Sequence, residues 1–127
     1  MISQILLVDD NAIQAATRKA ILSRLGRGVI VASDGAQALG QLQAADAAHP
    51  IGLVITDHFM PGMNGPEFVG ELRKHYPQLP VLVLSGLEEA VDAYVDFEVV
   101  FRMKPLPPDE LLHLVRTLLS EAIGKTA

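Results

Sequence analysis

Residues 2–10, Ile2-Ser3-Gln4-Ile5-Leu6-Leu7-Val8-Asp9-Asp10, decide how this chain is read: an apolar run of strand length stops abruptly at two adjacent carboxylates. A run rich in Ile, Leu and Val suits a strand covered on both faces, as in a parallel sheet. The pattern recurs. Ile2 to Val8 is followed by Val29 to Ala32, Ile51 to Thr56, Val81 to Leu84 and a weaker run from Glu98 to Arg102. Helix-like segments separate them. Ala12 to Leu25 sets Ile13, Ala16, Ala20 and Leu25 near one side, with Gly26 as a stop. A second helix is predicted over about Ala36 to Ala47, and a third from Pro66, a favoured first helical position, to about Tyr76. Leu87 to Val95 offers a short fourth. The fifth opens after Leu106, Pro107 and Pro108 and carries the stripe Leu111, Leu112, Val115, Leu118 and Leu119, expected to pack on the sheet. Strict alternation of strand and helix predicts an α/β, doubly wound parallel sheet with right-handed crossovers. With no linker, repeat or low-complexity tract, residues 1–127 are expected to form a single domain, Gly124 to Ala127 being a tail.

Composition narrows the function. Half of the 127 residues are hydrophobic and a fifth are charged, a globular balance with enough chain to bury a core. The absence of cysteine excludes disulfides, thiolate metal sites and thiol nucleophiles. A formal net charge of −5, without a basic run interleaved with aromatics, argues against nucleic-acid binding by this chain. No apolar stretch approaches the ~18 residues of a membrane span, and no signal-peptide pattern opens the chain, so a cytoplasmic protein is expected. His49, His58, His75 and His113 lack metal-ligand spacing and are expected on the surface.

In open parallel sheets, ligands bind beyond the carboxyl ends of the strands. There the chain places Asp9 and Asp10 after the first strand, Asp57 after the third, Ser85 after the fourth and Lys104 just beyond the fifth. Taken alone, Asp9 and Asp10 also suit a turn or helix cap. Three carboxylates gathered at one rim repel one another unless a cation relieves them. Oxygen-only ligands select a hard ion, and magnesium, which binds a few carboxylates together with phosphate oxygens, is the expected one. Lys104 adds an ammonium and Ser85 a hydroxyl, both suited to phosphoryl oxygens. Asp57, central in strand order, is the expected acceptor of that group.

Four segments now read together: Ile5-Leu6-Leu7-Val8-Asp9-Asp10, Asp57-His58-Phe59-Met60-Pro61-Gly62-Met63-Asn64-Gly65, Leu84-Ser85-Gly86 and Lys104-Pro105. In order and spacing the set resembles the response-regulator receiver domains of two-component signalling, over nearly the whole chain. The resemblance implies a flavodoxin-like five-stranded sheet of order 2-1-3-4-5. It implies phosphorylation of Asp57 by a histidine kinase or a histidine phosphotransfer protein, the donor being phosphohistidine. It also implies Mg2+ held by Asp9, Asp10, Asp57 and the backbone carbonyl of Phe59. Ser85 and Lys104 match the switch hydroxyl and the phosphoryl-binding lysine, Phe101 matches the switch aromatic, and a cis bond is implied before Pro105. Such a module is regulatory, not an enzyme: phosphorylation changes its surface for a downstream protein.

The chain departs from the family pattern between Ser85 and Lys104, which is shorter by roughly one helical turn of ~3.6 residues. The fourth helix is expected to be truncated, and Tyr94-Val95-Asp96-Phe97-Glu98 stands where a small-residue turn is usual. The dimer face built on that helix is therefore not assumed. The large Phe59 at the rim is expected to slow attack by water on the phosphoryl group. Two other readings compete: a degenerate receiver serving as a binding scaffold, which the intact acids, hydroxyl and lysine disfavour, and an aspartate-nucleophile phosphatase, whose Asp-x-Asp pattern is not met by the adjacent Asp9 and Asp10. A mononucleotide site is disfavoured because Asp-Asp-Asn, not a glycine-rich loop, follows the first strand.

Overall fold

In the computed structural model, the backbone is described for residues 2–126 and side chains for residues 2–120. Five strands, β1 (Gln4–Val8), β2 (Val29–Ala32), β3 (Ile51–Asp57), β4 (Val81–Ser85) and β5 (Val100–Met103), pair in parallel in the order β2-β1-β3-β4-β5. Four α-helices accompany them: α1 (Ala12–Leu22), α2 (Gly35–Ala44), α3 (Gly65–His75) and α4 (Pro108–Thr126). The expected doubly wound architecture and strand order are both present.

Strand alternation divides the core into two layers. Ile5, Leu7, Leu53, Ile55, Leu82 and Leu84 face α1 and α4, meeting Ala15, Leu22, Leu111 and Val115. Leu6, Val8, Val54, Val81 and Val83 point the other way, onto Ala38 and Leu42 of α2 and onto Phe68, Val69 and Leu72 of α3. The apolar stripe of the last helix packs as expected, with Leu111, Leu112, Val115, Leu118 and Leu119 all buried.

Local chemistry starts the helices. Asn11 Oδ1 accepts the Gln14 N–H at 2.9 Å, and Asp34 Oδ1 accepts that of Gln37 at 2.7 Å, each satisfying a donor that a first turn leaves orphaned. Asn64 and Glu67 cap α3 reciprocally, with Pro66 in its first turn.

Several boundaries differ from the sequence reading. β1 starts at Gln4, leaving Ile2 exposed, and β5 starts at Val100, because Glu98 takes a left-handed φ of 52° that does not extend a strand. Arg73 of α3 secures that irregular approach, donating to the carbonyls of Phe97, Glu98, Leu79 and Tyr76. The second helix ends at Ala44, not Ala47. The fourth helical segment is shortened as expected, and goes further: Glu88–Tyr94 is a 3₁₀ turn. α4 continues through Thr126, so residues 124–126 of the expected tail are helical in backbone, while Ala127 lies outside the described residues.

The facing of α1 is corrected most. Ile13 is 81% exposed and Ala16 and Ala20 are exposed, whereas Ala15 and Leu22 are buried. The sets 13, 16, 20 and 15, 18, 22 share one helical spacing and differ by two positions, or about 200° of rotation, so periodicity alone does not choose between them. Leu22 chooses: turning it inward buries more apolar surface than Ala20 offers.

Candidate functional site

The sheet register gathers the strand ends into one rim. Val8 pairs with Thr56, Asp57 with Leu84 and Ser85 with Met103, so the residues that end β1, β3, β4 and β5 lie side by side. The chain reverses its direction of winding between β1 and β3, the place where open sheets form a crevice. Asp9 and Asp10 follow β1, and Asp57 is the last residue of β3.

Each of Asp9, Asp10 and Asp57 offers a carboxylate oxygen, and the three atoms lie within 4.8 Å of one another. Asp9 and Asp57 are only 2% and 3% exposed, while Asp10 faces solvent. Lys104 Nζ lies 2.9 Å from Asp57 Oδ1. Its backbone N–H donates to the Ser85 carbonyl at 2.8 Å, tying the β5 exit to the β4 exit, and the Lys104–Pro105 peptide is cis as expected. An all-oxygen donor set with one exposed member suits a hard divalent ion that keeps part of its water shell.

Burial pushes the Asp9 carboxyl up to about 6. Hydrogen bonding with the Asp57 carboxyl adds to the rise, while the Asn11 N–H, donating to Asp9 Oδ1 at 2.9 Å, and the charge of Arg18 pull the other way. Burial at the rim therefore disfavours the ionised form of Asp9.

Two expected residues make no hydrogen bond to the acids. Ser85 is buried, but its hydroxyl is occupied by its own loop, accepting the Leu87 N–H at 2.9 Å and donating to the Leu87 carbonyl at 3.3 Å. Phe101 is half-buried in β5, its ring centroid 6.0 Å from that of Tyr94, on the core side of the sheet. The Phe59 side chain is at the rim as expected, 64% exposed and edge-on to His58.

Sequence reasoning missed Arg18. Its Nη1 donates to Asp9 Oδ2 at 3.1 Å and to Asp57 Oδ1 at 3.0 Å. The available signal was the 15, 18, 22 stripe, on which Arg18 lies between the two buried positions of α1. His58 is a further correction to the expected surface histidines: it is half-buried, its Nδ1 is 2.6 Å from the buried Tyr94 hydroxyl, and burial lowers its pKa below 6.5.

A family profile described as a response regulator receiver domain matches residues 5–116. The response regulator protein FleR of Pseudomonas aeruginosa is 37% identical over 119 residues, spanning 91% of this chain and 24% of that protein. This chain covers about half, or less, of the length of such curated relatives. Among solved structures, the signal receiver domain of an HD domain-containing protein from Pseudomonas fluorescens superposes with a TM-score of 0.85 at 26% identity, covering 98% of this chain and 99% of that one. A receiver domain from Methanospirillum hungatei shares the fold with a TM-score of 0.88 at 23% identity, covering 98% and 99%. Among the described residues, no helix is long and apolar enough to cross a membrane.

Proposed function

The chain belongs to the response-regulator receiver family, and on that footing we propose that residues 1–127 act as one phosphoacceptor domain of a cytoplasmic two-component phosphorelay. Asp57 takes the phosphoryl group from a phosphohistidine of a histidine kinase or histidine phosphotransfer protein. The observation that carries this reading is the meeting of Lys104 Nζ with Asp57 Oδ1, at 2.9 Å, beside the other two acids. A surface lysine has no reason to reach a buried strand-end carboxylate unless charge is managed there.

Asp57 attacks phosphorus with one carboxylate oxygen; the P–O bond forms as the P–N bond to imidazole breaks, and the imidazole nitrogen leaves with the bonding pair. Lys104 exchanges part of its contact with Asp57 for the incoming phosphoryl oxygens. Asp9, Asp10, Asp57 and the Phe59 carbonyl would hold Mg2+, which supplies charge neutralisation of the phosphoryl oxygens. Ser85 then leaves Leu87 to donate its hydroxyl to the phosphoryl group. That movement draws on the loop leading into the 3₁₀ turn, whose last residue Tyr94 packs against Phe101, and so changes the surface offered to a downstream protein.

Ile13, exposed on the first turn of α1, joins Gln14, Thr17, Ile21, Pro105 and Leu106 in lining an apolar groove of about 530 Å³ next to Lys104. This groove is the ground on which the phosphohistidine donor is proposed to dock. The test is incubation with acetyl phosphate and Mg2+ followed by intact mass measurement. The wild type is expected to gain one phosphoryl group and Asp57→Ala none; equal labelling of both would overturn the assignment.

A further inference from the structure

Phosphoryl transfer as set out above gives Arg18 no task, yet Arg18 is the most committed cation in the site. Its side chain is only 13% exposed, and a single guanidinium nitrogen bridges Asp9 Oδ2 and Asp57 Oδ1 at 3.1 and 3.0 Å. An arginine in the middle of a surface helix ordinarily leaves its head group in water, because desolvating a guanidinium is costly without close anionic partners. Here α1 turns it inward, and both partners belong to the acid cluster.

Both acids are also proposed ligands of the divalent ion. Magnesium approaches carboxylate oxygens to about 2.0–2.1 Å and demands near-octahedral order. A guanidinium bridging the same two carboxylates competes with such an ion for their negative charge, and two cations held on one pair of carboxylates repel strongly in a partly dry crevice. The two cations are alternatives. Asp57 Oδ1 retains Lys104 when Arg18 leaves, so displacement strips one partner of two from Asp57. Asp9 Oδ2 has no other hydrogen-bond donor among the described residues, so the entering ion must replace Arg18 there.

We infer that Arg18 is a resident counter-cation of the acid site, which holds Asp9 and Asp57 together while the ion is absent and which magnesium must displace to enter. This inference rests on the metal-dependent reading proposed above. Arg18 thereby sets the magnesium concentration at which the chain becomes competent, and metal entry becomes an exchange of one cation for another.

The test is calorimetric titration of the full chain with MgCl2 at pH 7.5, comparing wild type with Arg18→Met and Arg18→Gln. Both variants are expected to bind Mg2+ at least about tenfold more tightly, since each removes a competing charge without removing a ligand. They are also expected to reach half-maximal labelling by acetyl phosphate at correspondingly lower Mg2+. Equal or weaker binding in the variants, with Mg2+ still bound by the wild type, overturns the role of Arg18 and leaves the phosphoacceptor reading standing. No Mg2+ binding by any of the three overturns the metal reading and this inference with it. A wild-type measurement guards against a variant that fails to fold: the Arg18 Nη–H resonances, which belong to the nitrogen that donates to both acids, are expected to shift and lose their protection from solvent exchange on saturation with Mg2+. Unchanged resonances overturn the exchange.

Discussion

Replacing Asp9 with Asn should stabilise the metal-free protein at neutral pH, although it deletes a charged residue from the site. Burial raises this carboxyl from its ordinary 3.8 to about 6. At about 1.4 kcal/mol per tenfold in proton affinity, holding Asp9 ionised inside the fold costs up to about 3 kcal/mol more than in the unfolded chain. Asparagine removes that cost and can still accept the Asn11 N–H through its carbonyl oxygen. The attraction of Arg18 at 3.1 Å is already contained in that cost, but the buried asparagine amide is itself desolvated, which returns part of the gain. The net is about 1–2 kcal/mol, or roughly 3–8 °C in Tm for a domain of this size. The pH dependence follows from the direction of the shift. A carboxyl whose folded value is raised is most favourable to folding when protonated, so the wild type loses stability as pH rises from about 4 through 6. The advantage of Asp9→Asn should be full above pH 7 and vanish near pH 4. Thermal denaturation followed by circular dichroism in EDTA across that range is the assay. An Asp9→Asn protein less stable than the wild type at pH 7.5 would refute the claim that the buried charge of Asp9 burdens the metal-free fold.

Two further outcomes are expected. Phe59→Asn replaces an exposed aromatic at the mouth of the site with a small polar group and should hasten loss of the phosphoryl group by about threefold or more, equivalent to about 0.7 kcal/mol in barrier; an unchanged phosphoryl half-life would count against shielding by the ring. Tyr94→Phe removes the hydroxyl 2.6 Å from His58 Nδ1 and should cost about 1 kcal/mol at pH 8 by urea unfolding. Because burial lowers the His58 pKa, the unfolded chain binds its proton first, and stability should fall as pH drops below 6.5. That slope is best read in the Asp9→Asn background, where the opposing contribution of Asp9 is gone, and adding His58→Gln should flatten it.

Much of the site was legible because strand-end positions are local properties. An apolar run of strand length announces its own end, and in a parallel sheet every such end falls on one rim; Asp9, Asp57, Ser85 and Lys104 could be placed there from the chain alone. The state of each side chain was not legible. Ser85 sits at the right strand end, yet its hydroxyl satisfies Leu87, a choice made by loop geometry two residues away. The 3₁₀ turn from Glu88 to Tyr94 is similar: the shortness of the segment was visible in its length, but neither its tighter winding nor the contact of its buried Tyr94 with His58 was.

By itself, the alternation of apolar runs with helical segments determined the doubly wound sheet and the rim at which the acids meet, because a strand covered on both faces reads as a continuous apolar run; the strand order was implied by the resemblance to the receiver family and not by the runs. Which side of α1 turns inward was settled by tertiary packing. Two stripes with identical spacing compete on that helix, and only contact with the sheet and α4, through Ala15 and Leu22, selects the one that carries Arg18 into the acids. A rotation of about 200° separates a solvated arginine from one paired with two carboxylates, and helical spacing alone does not choose between them.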